Sequence, residues 1–169
     1  LELYGPDGRL LAQAEDTFGA DPALGFTAPR DGRYTVAIRH MAHAGMPQFV
    51  YRLTLAPMPL VLSAFPAGGR RGDQTSVTFH GLGLPETAGG RSAAVSPTGP
   101  DSVLPVRLGA GSTPFPFQVA DQPEILEQEP NDAAAGATAA TLPAILNGRF
   151  QTPGDADLYR VSLRKGETW

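Results

Sequence analysis

The chain has 169 residues, 41% hydrophobic and 18% charged, with a net charge of -4. This balance fits a folded protein and excludes a highly charged disordered one. No Lys/Arg-rich run supplies the basic face that nucleic-acid binding needs, and no apolar run approaches the length of a membrane span.

The absence of cysteine removes disulfides, thiolate metal sites and cysteine nucleophiles together, though it does not exclude export. Spread along the sequence, 20 glycines and 17 prolines punctuate many short segments, the composition of a turn-rich all-β protein. Leu1-Glu2-Leu3-Tyr4 reads as a strand already under way, and Lys165 to Trp169 stop without a closing loop. The chain therefore reads as an excerpt of something longer, and a missing targeting signal carries no weight.

Residues 1–57 form the first unit. Leu1 to Tyr4 runs into Gly5-Pro6-Asp7-Gly8 and out through Arg9-Leu10-Leu11-Ala12, a hairpin whose Pro presets φ and whose Gly accepts a positive φ. Tyr34, Val36 and Ile38 then alternate with Thr35, Ala37 and Arg39, as a half-buried strand requires. Phe49, Tyr51, Leu53 and Leu55 repeat the pattern and are expected to face inward, before Pro57 and Pro59 close the unit.

Residues 58–122 carry different punctuation. Strands are expected over Leu60–Phe65, Thr75–Gly81, Val103–Leu108 and Phe115–Val119, with a loop over Pro66–Gly72. The last two contain Pro105 and Pro116, which cannot donate to a ladder, so both are expected at sheet edges or strand ends. Residues 123–169 open on the acidic run Glu124 to Asp132. Ala133 to Leu142 reads as extended or irregular, because Gly136, Thr138 and Thr141 dilute helix propensity and no apolar stripe appears. Asn147–Phe150 reads as a short turn and strand, and Asp157–Leu163 as a strand with Tyr159, Val161 and Leu163 facing in.

Three motifs of the last unit occur together: Glu127-Gln128-Glu129-Pro130-Asn131-Asp132, Asn147-Gly148-Arg149-Phe150, and Pro153-Gly154-Asp155-Ala156-Asp157-Leu158-Tyr159. In this order they resemble the opening half of the bacterial pre-peptidase C-terminal (PPC) domain. Leu3-Tyr4-Gly5-Pro6-Asp7-Gly8-Arg9-Leu10-Leu11-Ala12 and Ala28-Pro29-Arg30-Asp31-Gly32-Arg33-Tyr34-Thr35-Val36 resemble its closing half. The middle unit, through Phe65-Pro66-Ala67-Gly68-Gly69 and Val77-Thr78-Phe79-His80-Gly81, is similar to immunoglobulin-like or IPT/TIG modules. The resemblance implies an all-β architecture of jelly-roll-like β-sandwich halves around an Ig-like β-sandwich module. Each half exposes an apolar face needing cover, so the two are candidates to dock on each other as a permuted, gapped sandwich.

Some members of that family bind calcium near the domain start, and the residues here carry the same chemistry. Calcium takes six to eight hard oxygens. Glu127, Glu129 and Asn131 recur at every second position of an extended run, Pro130 holds Glu129 extended, and Asp155 and Asp157 add carboxylates from the loop before the last strand. Gly154 stands where some calcium-binding members carry another acid. The competing reading is a solvated acidic linker with Asn131-Asp132 as a turn.

Other motifs favour bland readings. Asp16 and Asp21 read as loop acids, and His40 and His43 as loop histidines short of a zinc set. Arg71-Gly72-Asp73 reads as a polar turn, and no Gly-x-Ser-x-Gly elbow anchors a hydrolytic triad.

The expected function is non-catalytic: an accessory, spacer or targeting module of a larger secreted bacterial protein, outside the cytoplasm. Its expected partners are neighbouring domains of the same chain and an extracellular polysaccharide or protein. The alternatives are a fragment of a secreted hydrolase whose catalytic domain lies elsewhere, or a cell-surface adhesion array.

Overall fold

The computed structural model describes residues 1–17, 21–85, 91–109 and 111–168. Part of the Glu15–Asp21 loop (Phe18, Gly19 and Ala20) and the terminal Trp169 lie outside the described residues. Among the described residues there are thirteen short strands and no helix, so the chain is all-β.

In the first unit, β1 (Glu2–Tyr4) pairs antiparallel with β2 (Leu10–Gln13) through the Gly5–Gly8 turn, where Gly8 has φ 77°. The opposite edge of β1 pairs with β3 (Thr35–Ala37), giving the order β2-β1-β3 with Leu3 buried at its centre. Residues 49–55 form no strand, and Phe49, Tyr51, Leu53 and Leu55, expected to face inward, are all exposed. Alternation assigns faces to a strand, but the faces are buried only where a ladder partner and an opposing layer exist.

The middle unit contains the main core. β4 (Leu60–Phe65), β6 (Thr75–Leu82) and β7 (Ser92–Val95) form one antiparallel sheet in the order β4-β6-β7. A second sheet has the order β5-β9-β8, from β5 (Gly68–Arg70), β9 (Phe115–Ala120) and β8 (Val103–Val106). Val61, Val77 and Phe79 from the first sheet and Phe117 from the second are fully buried in one shared cluster. Burying an aromatic or branched side chain contributes about 1.5–3 kcal/mol each, so these four residues form a substantial part of the unit's hydrophobic stabilisation.

Pro105 lies on edge strand β8 and Pro116 at the N-terminal end of β9, both as expected, although β9 is central in the strand order where β8 is not. The register explains how Pro116 is accommodated. β5 meets β9 only from Gln118 to Ala120, and on the other side Pro116 faces Pro105. At Pro116 the sheet is locally two-stranded, so its missing N–H leaves no ladder partner unsatisfied on the β5 side.

In the last unit, β10 (Glu124–Leu126) runs parallel to β12 (Ile145–Asn147), and β11 (Thr138–Ala139) runs parallel to β13 (Tyr159–Arg160). The strand expected over 147–150 therefore ends where it was expected to begin, and that over 157–163 shrinks to two residues.

No sheet among the described residues joins strands of 1–57 to strands of 123–169. Val50, Tyr51, Leu55, Phe150 and Leu163 are 53–86% exposed, so the two halves do not cover one another's apolar faces. No helix of the described residues is long and apolar enough to cross a membrane.

Candidate metal centre

The parallel pairing of β10 with β12 decides where Glu127 goes. Its N–H donates to Asn147 O at 2.8 Å, carrying the ladder one residue past β10. The Glu127 carboxylate then accepts the Arg149 N–H at 2.8 Å through Oε2 and the Gln151 side-chain amide at 2.8 Å through Oε1.

The β11/β13 pair brings in the second segment. Thr138 N–H donates to Leu158 O at 2.9 Å, Leu158 N–H donates to Asn131 O at 3.3 Å, and Thr138 Oγ1 accepts the Gln128 N–H at 2.9 Å. Two short parallel ladders thus fold the acidic run onto the loop before β13.

Glu127, Glu129 and Asp157 each present a carboxylate oxygen within 4.8 Å of the others. Gly148 lies where two of these acids, Glu127 and Asp157, meet the Tyr159 hydroxyl. A Cβ placed there would stand 2.8 Å from each of Asp157 Oδ2, Glu127 Oε2 and Tyr159 Oη. Such distances are too short for carbon against oxygen, so the bare backbone of Gly148 makes room for this cluster of oxygens.

The Glu127 side chain is only 4% exposed. Its pKa is raised, chiefly by burial and then by Asp157 and Glu129, against the lowering effect of the Arg149 N–H. Burial and the same three carboxylates also raise the Tyr159 hydroxyl, keeping it a neutral oxygen.

Asn131 is wholly buried, and neither oxygen nor nitrogen of its side-chain amide has a partner; Asp157 Oδ1 is likewise buried and unpaired. Buried polar atoms without partners are rare in folded proteins, each costing about 1–3 kcal/mol unless an ion or water satisfies it. Asn131 is held beside the acids by its own backbone, its N–H donating to Glu129 Oε2 at 2.7 Å. The donors are all hard oxygens, the set that suits calcium and not a thiophilic metal. The residues present fit that ion.

Of the five expected ligands, the fold gathers Glu127, Glu129 and Asp157 and buries Asn131, whose N–H reaches Glu129. Asp155 stands outside the group. Its Oδ2 accepts the Gln151 N–H at 2.5 Å and its own N–H donates to Thr152 O, so it closes the turn over 152–155. Gly154 has φ 92° in that turn, a conformation that an acid at this position would strain. The bend at Glu129–Pro130 also departs from the extended run expected there.

Gly148 and Tyr159 were not expected in the centre. Tyr159 reads as a core residue by alternation, and nothing in the sequence reveals that residue 148 lies beside residue 127.

No histidine joins a metal-ligating group among the described residues. Arg71 is fixed by Asp121 at 3.0 Å and by the carbonyls of Gly99 and Asp101, which suits a structural turn at Arg71-Gly72-Asp73. No family model, no curated protein and no solved structure matches this chain.

Proposed function

We propose that the chain is a non-catalytic, calcium-stabilised β module of a larger secreted bacterial protein, PPC-like at both ends with an Ig-like unit between. The observation that carries this reading is the convergence of Glu127, Glu129 and Asp157, together with Asn131, whose N–H donates to Glu129 and whose buried side chain has no partner. Bound calcium would supply positive charge to an acid cluster drawn from two segments far apart in sequence. The protein's own part is to hold those carboxylates together through the β10/β12 and β11/β13 ladders, with Gly148 leaving space between them. The module's role is then mechanical: a folded spacer between neighbouring domains on a polymer or cell surface, whose last unit becomes firm where calcium is plentiful.

Thermal unfolding of the chain in millimolar calcium and in chelator tests this reading. Binding to the folded state alone adds RT ln(1 + [L]/Kd), about 2.7 kcal/mol at a hundredfold excess over Kd, and should raise the midpoint. The increment should vanish in Glu127→Gln and in Asp157→Asn. An unchanged wild-type midpoint leaves the solvated acidic linker as the better description.

A further inference from the structure

The carboxylate of Glu127 has two faces. Oε2 turns toward Asp157 Oδ2 and Tyr159 Oη around Gly148, whereas Oε1 accepts from Gln151 and lies 3.7 Å from Arg149 Nε. The same Arg149 guanidinium stands 4.3 Å above the centre of the Phe65 ring. Phe65 ends β4 of the middle unit, so this is a contact between two units of the chain.

Resting on the calcium reading, we infer that Glu127 links the acidic pocket to the Arg149–Phe65 joint, and that cation loading and joint closure oppose each other. Arg149 cannot lose its charge, so a cation held by Glu127 is repelled by a guanidinium next to the same carboxylate. Phe65 attracts that guanidinium through its ring face and keeps it there. Whatever anchors Arg149 weakens the pocket for cations, and by reciprocity a cation in the pocket loosens the joint. Calcium would firm the last unit internally while freeing its orientation on the middle one.

Phe65→Leu is the discriminating variant, because Phe65 belongs neither to the acidic cluster nor to the middle unit's buried core. Calcium titration by calorimetry on the full chain should show Phe65→Leu binding roughly threefold or more tightly than wild type. Equal or weaker binding by the variant overturns the linkage while leaving the metal site intact. Absence of calcium binding in the wild type overturns the metal reading instead, and the linkage with it.

The reciprocal effect can be read by spin labels, since the chain has no cysteine of its own. With labels on Ser76→Cys in β6 and Ala139→Cys in β11, both at exposed positions, calcium should broaden the distance distribution in the wild type. It should have little effect in Phe65→Leu, where the joint is already released. A wild-type distribution indifferent to calcium also overturns the linkage.

Discussion

At the scale of single residues, the centre depends on a glycine as much as on its acids. Three oxygens, from Glu127, Asp157 and Tyr159, would each lie 2.8 Å from a Cβ at Gly148. These are ends of side chains, so an added methyl can be accommodated by spreading them, and spreading them dismantles the proposed cation site. Gly148→Ala is therefore expected to weaken calcium binding by about tenfold or more while leaving the middle unit folded. Calorimetric titration beside far-ultraviolet circular dichroism separates the two effects. The acids at 127, 129 and 157 were legible because carboxylates declare their chemistry. Gly148 was not, since its role comes from the parallel register that lays residue 148 beside residue 127.

Glu127 also fixes a pH dependence. Its folded pKa lies above the ordinary 4.5 because the side chain is buried and faces Asp157 and Glu129. A carboxyl raised in this way favours folding fully below its unfolded pKa, and that contribution is lost as pH rises through the folded value. In chelator, this group thus makes the protein lose stability as pH climbs above 4.5. Calcium requires the ionised form, so the midpoint gain it confers should grow over the same interval. Midpoints measured with and without calcium between about pH 4 and 8 should diverge upward, and Glu127→Gln should remove the divergence.

At the scale of elements, alternation identified strands well where two layers meet and badly where they do not. Thr75 to Gly81 and Phe115 to Val119 place Val77, Phe79, Phe117 and Val119 in the core, with their alternate neighbours outward. The same pattern over Phe49 to Leu55 yields no strand and no burial. The difference lies in the partner and not in the segment, because an alternating strand without a ladder or facing sheet has nothing to bury against. Strands such as β5 and β7 escaped notice for the opposite reason. Gly68–Arg70 and Ser92–Val95 carry little apolar signal of their own, and neighbouring strands recruit them through backbone pairing. Pro116 shows the same dependence on context, tolerated in a central strand because β5 stops short of it.

At the scale of the whole molecule, stability is unevenly shared, and this makes a strong demand on the middle unit. Every residue of the main buried cluster, from Val61 to Val119, lies within 58–122, and the two sheets that supply it draw no strand from outside. The flanking units have no comparable cluster among the described residues and leave large apolar side chains such as Tyr51 and Phe150 in solvent. Residues 58–122 expressed alone should therefore fold, although a segment of this size is expected to be only marginally stable, by a few kcal/mol. Urea unfolding should show one cooperative transition, with dispersed amide resonances in the folded state. That transition should be insensitive to calcium, since Glu127, Glu129 and Asp157 all lie outside the segment. In the full chain, the calcium-dependent midpoint should accordingly belong to residues 123–169, detectable as slower amide exchange around β11 and β13 while β4, β6 and β9 keep their protection. A non-cooperative or unfolded 58–122 would mean that contacts from the flanking units, such as Arg149 on Phe65, are integral to the core. Calcium would then be expected to shift the unfolding of the whole chain as one unit.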